Sequence, residues 1–382
     1  MMTKDEWLTS VFTPADPPYV PEWKQASCLV LYGAGYAGLA CAECFVKHGI
    51  HPMCFVDQST EKQGKIFWGI PVYPVLPQIL RGATVIVCLL NKERAYPHLR
   101  QMLYQYGCSM VMHLFDLRCE RGLLKDIPLI LAPDTDRLWK LRGQLYSSFL
   151  KLADDESRSV YTSIIASLWS GRDVHCTVHP MSEQYFEDRV LSHLSDEIFV
   201  DCGAHIGETM EQFLHHYGSW QKYWVFEPDP LNLERIKLRF QTIIQGAKDK
   251  ISMQCRALSN CQEHIIVKNY DMTNSIVLST NEATGTAVTS TLDHYFSMQK
   301  ITFLKIDAEG WDKKILLGGH ETISKYRPVI AVAAYHRIDD FWELMDILSG
   351  YVKEYRFFLR SYMNVNETIL YAVPPERLVS IP

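Results

Sequence analysis

Two stretches, VLYGAGYAG at residues 30–38 and FVDCGAHIGET at residues 199–209, place glycines directly after a β-rich apolar run and before a helical one. Such strand-turn-helix junctions restrict a chain to few folds. Glycine lets the backbone turn sharply and approach a ligand more closely than any side chain would allow. The spacings of the two junctions differ. Gly33, Gly35 and Gly38 form G-x-G-x-x-G, and Asp57 follows nineteen residues past Gly38 at the end of the next β-rich run. This pattern predicts a nucleotide site, with the pyrophosphate at the helix N-terminus and the acid on a ribose. Gly203 and Gly207 are separated by three residues, with His205 where a middle glycine would stand.

Around both turns, short β-rich runs alternate with helical ones: CLVLYG, IHPMCFVD and ATVIVCLLN in the first half, YWVFEPD, ISMQCRAL, ITFLKIDAEG and RPVIAVAAYH in the second. That rhythm is βαβ, and 382 residues exceed what one core organises. The expected fold is α/β with two Rossmann-like domains. Residues 1–27 read as a lead-in, 28–116 as a nucleotide- or nucleotide-sugar-binding domain, 117–196 as a helical connector and 197–382 as the larger domain. FFLRSYMNVNETILYAVP reads as two strands joined by a polar loop.

Composition narrows the partners. A net charge of −6 with no long basic tract gives no reason to expect nucleic acid. No run of about eighteen apolar residues predicts a membrane span. Eleven cysteines without framework spacing suit a reducing cytoplasm, which is the expected location. Cys41 and Cys44, a C-x-x-C inside a helical run, read as packing. His175, Cys176 and His179 are three ligand types without a fourth, so no metal is assigned.

At the second turn, Glu227 ends a β-rich run twenty residues past Gly207. An acid there binds a ribose. S-adenosylmethionine suits this pair of features, since its ribose diol fits Glu227 and its amino-acid end needs backbone groups rather than a pyrophosphate cradle. Asp201 then lies near the methionine ammonium.

The ordered blocks FVDCGAHIGET, FEPDP, RALSN, STLDHYF, FLKIDAEGWDKKILLGG and RPVIAV resemble the FkbM-type methyltransferases from about Tyr185 to Ala372. The resemblance implies a class I methyltransferase-like sheet, S-adenosylmethionine as donor, and O-methylation of a sugar or other hydroxyl-bearing metabolite, as in glycan biosynthesis. Carried over, it places cofactor contacts at Asp201, Gly203, Gly207 and Glu227, the adenine near Ala257 and Leu258, and a covering pair at Tyr185 and Phe186. Many relatives have asparagine at the position of His205. Further upstream, FVDQSTEKQGKIFWGIPVYP resembles the nucleotide-sugar-binding domain found ahead of bacterial sugar acyltransferases.

Methyl transfer needs an acceptor oxygen held in line and a group to take its proton. Lys305, Asp307 and Glu309 emerge at the end of one apolar strand and His336 at the end of another. His336 is the leading base, because an imidazole accepts a proton near neutral pH. Asp307 orients the hydroxyl or binds a divalent cation. Arg360 and Tyr362 are further candidates for acceptor contact. Two other functions fit parts of the chain: an NAD-dependent oxidoreductase working through the N-terminal turn, and a non-catalytic nucleotide-sugar sensor.

Overall fold

The structure is a computed structural model, and it describes residues 2–13, 23–89, 92–119, 123–124, 135–170, 176–271, 274–279, 287–362 and 367–379. The fold is mixed α/β with two largely parallel sheets, and the chain divides into two compact units.

The smaller unit comprises Thr9–Lys140 and Ile165–Asp173. Its strands are β1 (Leu29–Tyr32), β2 (Cys54–Val56), β3 (Ile66–Phe67), β4 (Ile70–Tyr73), β5 (Thr84–Val87) and β6 (Met110–His113), in the order β3-β4-β2-β1-β5-β6. All neighbours are parallel except the β3–β4 hairpin. Strands β1, β2 and β5 are buried at every residue, which is why they read as unbroken apolar runs rather than alternating ones. The first glycine turn joins β1 to the helix Tyr36–Lys47. Cys41 and Cys44 lie buried in that helix and belong to the core around Phe45 and Phe55. The described cysteines of the chain are free thiols.

The larger unit comprises Met1–Leu8, Leu141–Ile164 and Val174–Pro382. Its main sheet is built from β7 (Ile198–Cys202), β8 (Lys222–Phe226), β9 (Ile251–Gln254), β13 (Phe303–Ile306), β14 (Val329–Ala333), β15 (Arg356–Ser361) and β16 (Thr368–Val373). The order is β15-β16-β14-β13-β7-β8-β9, parallel from β14 to β9, with β16 antiparallel to both of its neighbours. A separate sheet holds β10 (His264–Asp271), β11 (Asn274–Ser279) and β12 (Ala287–Val288). The connection reverses direction between β7 and β13, so this sheet opens a crevice at their C-terminal ends, where open α/β sheets bind ligands.

Aromatic packing fixes the sheet beneath that crevice. Phe199 stacks between Phe303 (4.8 Å between centroids) and Tyr223 (5.1 Å), and Phe213 of the helix Glu208–His216 packs across them. The lead-in is anchored as well. Trp7 is fully buried against Phe149 and Tyr161, and its indole N–H donates to Thr162 Oγ1 at 3.0 Å. Among the described residues, no helix is long and apolar enough to cross a membrane.

Candidate active site

The second turn begins where β7 ends. Gly203 has φ +80°, and a Cβ there would stand 1.9 Å from the carbonyl oxygen of Asp307, so only glycine fits. Gly207 has φ +90° and opens the helix Glu208–His216. The backbone N–H of His205, within the turn, donates to Glu227 Oε2 at 2.8 Å, and that of Asp229 donates to Oε1 at 2.9 Å. The Asn232 side chain adds a third hydrogen bond to this carboxylate, which retains acceptor capacity for a ligand. Burial raises Glu227 to about 7, against the pull of these hydrogen bonds.

Asp201 and Lys305 are partners in register on adjacent strands, which explains a lysine inside a buried strand. The Asp201 carboxylate accepts from Tyr223 Oη at 2.8 Å and lies 3.0 Å from Lys305 Nζ. The ammonium in turn donates to the Gly203 carbonyl at 2.7 Å. Burial works against this charge, yet Asp201 holds the lysine above its ordinary value. Asp201 is fully buried and does not reach the crevice. Its place is beneath the turn, and Lys305 transmits its charge upward.

A second cluster lies at the exits of β13 and β14. Asp307 accepts from Tyr185 Oη at 2.5 Å and from Tyr335 Oη at 3.3 Å, and His336 Nε2 lies 3.3 Å away. The other nitrogen, Nδ1, is 2.7 Å from Asp312, whose carboxylate also accepts from the N–H groups of Ala308 and Gly310. Burial opposes charge on His336, but Asp312 outweighs it and raises the ring to about 10. The Asp312 contact thus favours the protonated ring and works against the free-base role expected from its residue type. Glu309, at φ +51°, brings its carboxylate to 3.9 Å from the same ring. Asp307, Asp312 and His336 also offer ligand-type atoms within 4.8 Å of one another.

One cavity of about 500 Å³ touches both ends. Of the residues singled out in the sequence, Tyr185, Gly203, Glu227, Ala257, Leu258, Lys305, Asp307 and Glu309 line it. Asp201, Gly207, Phe186 and His336 stand behind the wall, Phe186 as core packing against Phe199. Arg360 and Tyr362 are turned inward: Arg360 bonds Asp154 and Ser157, and Tyr362 bonds Glu187 and Tyr371. His179 pairs with Glu156, and His175 lies outside the described residues. Gly33, Gly35, Gly38 and Asp57 belong to the smaller unit. There Asp57 accepts from the N–H groups of Ala34 at 2.7 Å and Ser59 at 2.8 Å.

The structure adds residues in and behind the cavity wall that sequence reasoning missed. Tyr335 immediately precedes His336 and Asp312 follows Glu309 by three, so both lay within the quoted blocks. Gln184 donates to Glu367 at 2.8 Å, and Glu367 is raised to about 7 by burial. Trp311, with Lys314 Nζ 3.8 Å from its ring centroid, and Arg256 complete the opposite wall.

Comparison with known proteins agrees with this architecture. Residues 201–363 match the family model "Methyltransferase FkbM domain". The chain is similar in fold to the methyltransferase FkbM from Methylobacillus flagellatus KT, at a TM-score of 0.65 and 20% identity over 91% of this chain and 90% of that one. More distant matches are an rRNA methylase from Streptococcus thermophilus (TM-score 0.32, 11% identity, 52% of this chain and 99% of that one) and the N-terminal domain of human METTL16 in complex with SAH (TM-score 0.29, 11% identity, 63% and 93%). At such scores they carry no argument. No curated protein matches the chain. The sheet order, the glycine turn and the match of residues 201–363 to the FkbM methyltransferase domain agree, and together they support a methyltransferase with a methyltransferase-like Rossmann fold.

Proposed function

We propose that the protein transfers a methyl group from S-adenosylmethionine to a hydroxyl oxygen of a sugar or other hydroxyl-bearing small molecule. The observation that carries this reading is the single cavity that runs from the Glu227 carboxylate to the Asp307–Glu309–His336 cluster. The residues present fit the donor. Glu227 offers its remaining acceptor capacity to a ribose diol, Gly203 gives close backbone approach, and Ala257 and Leu258 supply an apolar wall for adenine. The bound donor supplies an already activated methyl carbon.

The chain's own groups then have two tasks. Lys305 and Asp201 fix the turn from below, so the backbone around Gly203 does not reorganise during the reaction. Asp307 and Glu309 face the acceptor end as carboxylates, and the departing hydroxyl proton goes to one of them. His336 holds both carboxylates in place as an imidazolium, itself held by Asp312. Tyr185 and Tyr335 fix the orientation of Asp307 through hydrogen bonds. Positioning supplies most of the rate in such a displacement.

In the smaller unit the proposal assigns a nucleotide or nucleotide-sugar to Gly33, Gly35, Gly38 and Asp57. What supports it is that Asp57 grips its glycine turn through a backbone N–H as Glu227 grips its own. An assay with labelled donor and a panel of polyol and sugar acceptors tests the methyl-transfer reading: label should appear in an alkali-stable ether. Label found on nitrogen or sulfur instead would reject the oxygen acceptor.

A further inference from the structure

Beside the active site, Asp188, His193 and His216 bring ligand-type atoms within 4.8 Å of one another. None of them takes part in the chemistry above. His193 Nε2 is 2.5 Å from Asp188 Oδ1, and His216 Nδ1 is 3.7 Å from Asp188 Oδ2. What distinguishes this group from an ordinary surface ion pair is the far side of each ring.

Tyr217 Oη donates to Glu197 Oε2 at 3.0 Å, a carboxylate also held by Arg377 at 2.7 Å. With its proton so directed, Tyr217 accepts from His193 Nδ1 at 2.5 Å. On the other ring, His216 Nε2 lies 3.3 Å from the carbonyl oxygen of Ser182 and can only donate to it. Both far nitrogens are therefore protonated. Both near nitrogens, directed at a single carboxylate, carry lone pairs in the neutral tautomers. Histidines that ligate metals donate their other ring N–H to a carbonyl, a carboxylate or a group leading to one, which fixes the tautomer. Without an ion, a proton on His193 Nε2 bridges to Asp188; a metal ion takes that proton's place between the two rings and the carboxylate.

We propose that Asp188, His193 and His216 bind one zinc ion, with water as fourth ligand. Two imidazoles and a carboxylate suit zinc better than calcium or magnesium, which favour all-oxygen sets. Binding places the ion on both near nitrogens, and any proton held there leaves to solvent. The ion fastens two walls of the catalytic cavity to each other. His216 ends the helix whose first turns carry Glu208, Thr209 and Gln212 on the cavity, and Asp188 follows the segment that carries Gln184 and Tyr185. The inference does not depend on the methyl-transfer proposal, because it concerns zinc on the full chain in the absence of substrate.

The test uses full-length protein stripped with a chelator and titrated with zinc against a chromophoric competitor. One zinc per chain should bind. Asp188→Asn and His193→Gln should each weaken it about tenfold or more. Asp188 is well exposed, so its variant keeps the fold, and circular dichroism checks this. Asp307→Asn should leave the zinc in place. Cobalt(II) in the same site should give the intense visible bands of a tetrahedral centre, and Asp188→Asn should lose them. No zinc on the wild-type chain would overturn the proposal. So would zinc whose affinity is unchanged in Asp188→Asn and His193→Gln, since the ion would then sit elsewhere.

Discussion

The two glycine turns share one frame and differ in what the neighbouring strand brings to it. In each, the acid after the second strand accepts a backbone N–H from the turn and another from the residue two places on: Asp57 from Ala34 and Ser59, Glu227 from His205 and Asp229. In each, one glycine is required by a carbonyl: a Cβ on Gly38 would stand 1.8 Å from the oxygen of Gly33, and one on Gly203 would stand 1.9 Å from that of Asp307. The contrast lies across the sheet. β1 pairs with β5, which exits into Cys88 and Leu89, whereas β7 pairs with β13, which carries Lys305 and exits into Asp307 and Glu309. On the proposed reading, the strand-turn-acid frame serves a nucleotide in both units. Charged groups from the adjacent strand make the second frame fit for chemistry.

The most severe way to test this contrast is to fill the glycine positions. Gly203→Ala should cost about 4 kcal/mol or more of the larger unit's stability and abolish methyl transfer, because backbone rather than a flexible side chain must yield. Gly38→Ala should destabilise the smaller unit to a similar degree while the remaining folded protein keeps its turnover. Thermal unfolding with parallel activity assays reads both. A Gly38→Ala protein that folds but transfers no methyl group would break the separation of roles.

Next in size is His336→Ala. Binding of S-adenosylhomocysteine should persist, while kcat falls about 100-fold or more as Asp307 and Glu309 lose their positive partner. A pH profile sharpens the assignment. With a carboxylate as proton acceptor, kcat should be level through neutrality. A rise toward pH 10, where His336 loses its proton, would make the imidazole the base.

The pH dependence of stability follows with a smaller effect. Burial raises Glu227 and Glu367 to about 7 and Asp340 to about 8, and Asp312 raises His336 to about 10 despite its burial. For all four groups the folded chain holds protons that the unfolded chain has released, so stability falls as pH rises through these values. Asp312 and Asp154 are lowered and act in the opposite sense: their contribution is present near neutrality and disappears in acid, as pH falls through their depressed folded values. Maximum stability should lie on the acid side of neutral, with a melting temperature several degrees lower at pH 9 than at pH 6. Equal melting temperatures would show that these groups do not hold raised values in the folded chain.

Much of this architecture was legible in the sequence because it is written locally. Apolar runs such as IFVDC and VIAVA announce buried parallel strands, and the positions of Gly203, Glu227 and Asp307 at strand exits follow from that assignment alone. What the sequence could not disclose depends on register between distant segments. Asp201 reads as a donor contact until β13 places Lys305 beside it, which turns it into a buried support. His336 reads as a neutral base until Asp312 is found at its Nδ1. Glu367, in the hairpin before β16, reaches the cavity only through the reversed strand order at that edge of the sheet. His193 and His216 match no short ligand motif, so their convergence on Asp188 is visible only in three dimensions.

The central claim is that the donor lies over the second turn with its ribose on Glu227. Isothermal titration of S-adenosylhomocysteine into the wild-type chain, Glu227→Ala and Asp57→Ala tests it most directly. The account predicts binding to the wild type and to Asp57→Ala with equal affinity, and a loss of about 10- to 100-fold in Glu227→Ala, the value of hydrogen bonds to a charged group. Undiminished binding by Glu227→Ala, or loss of binding in Asp57→Ala, would contradict it.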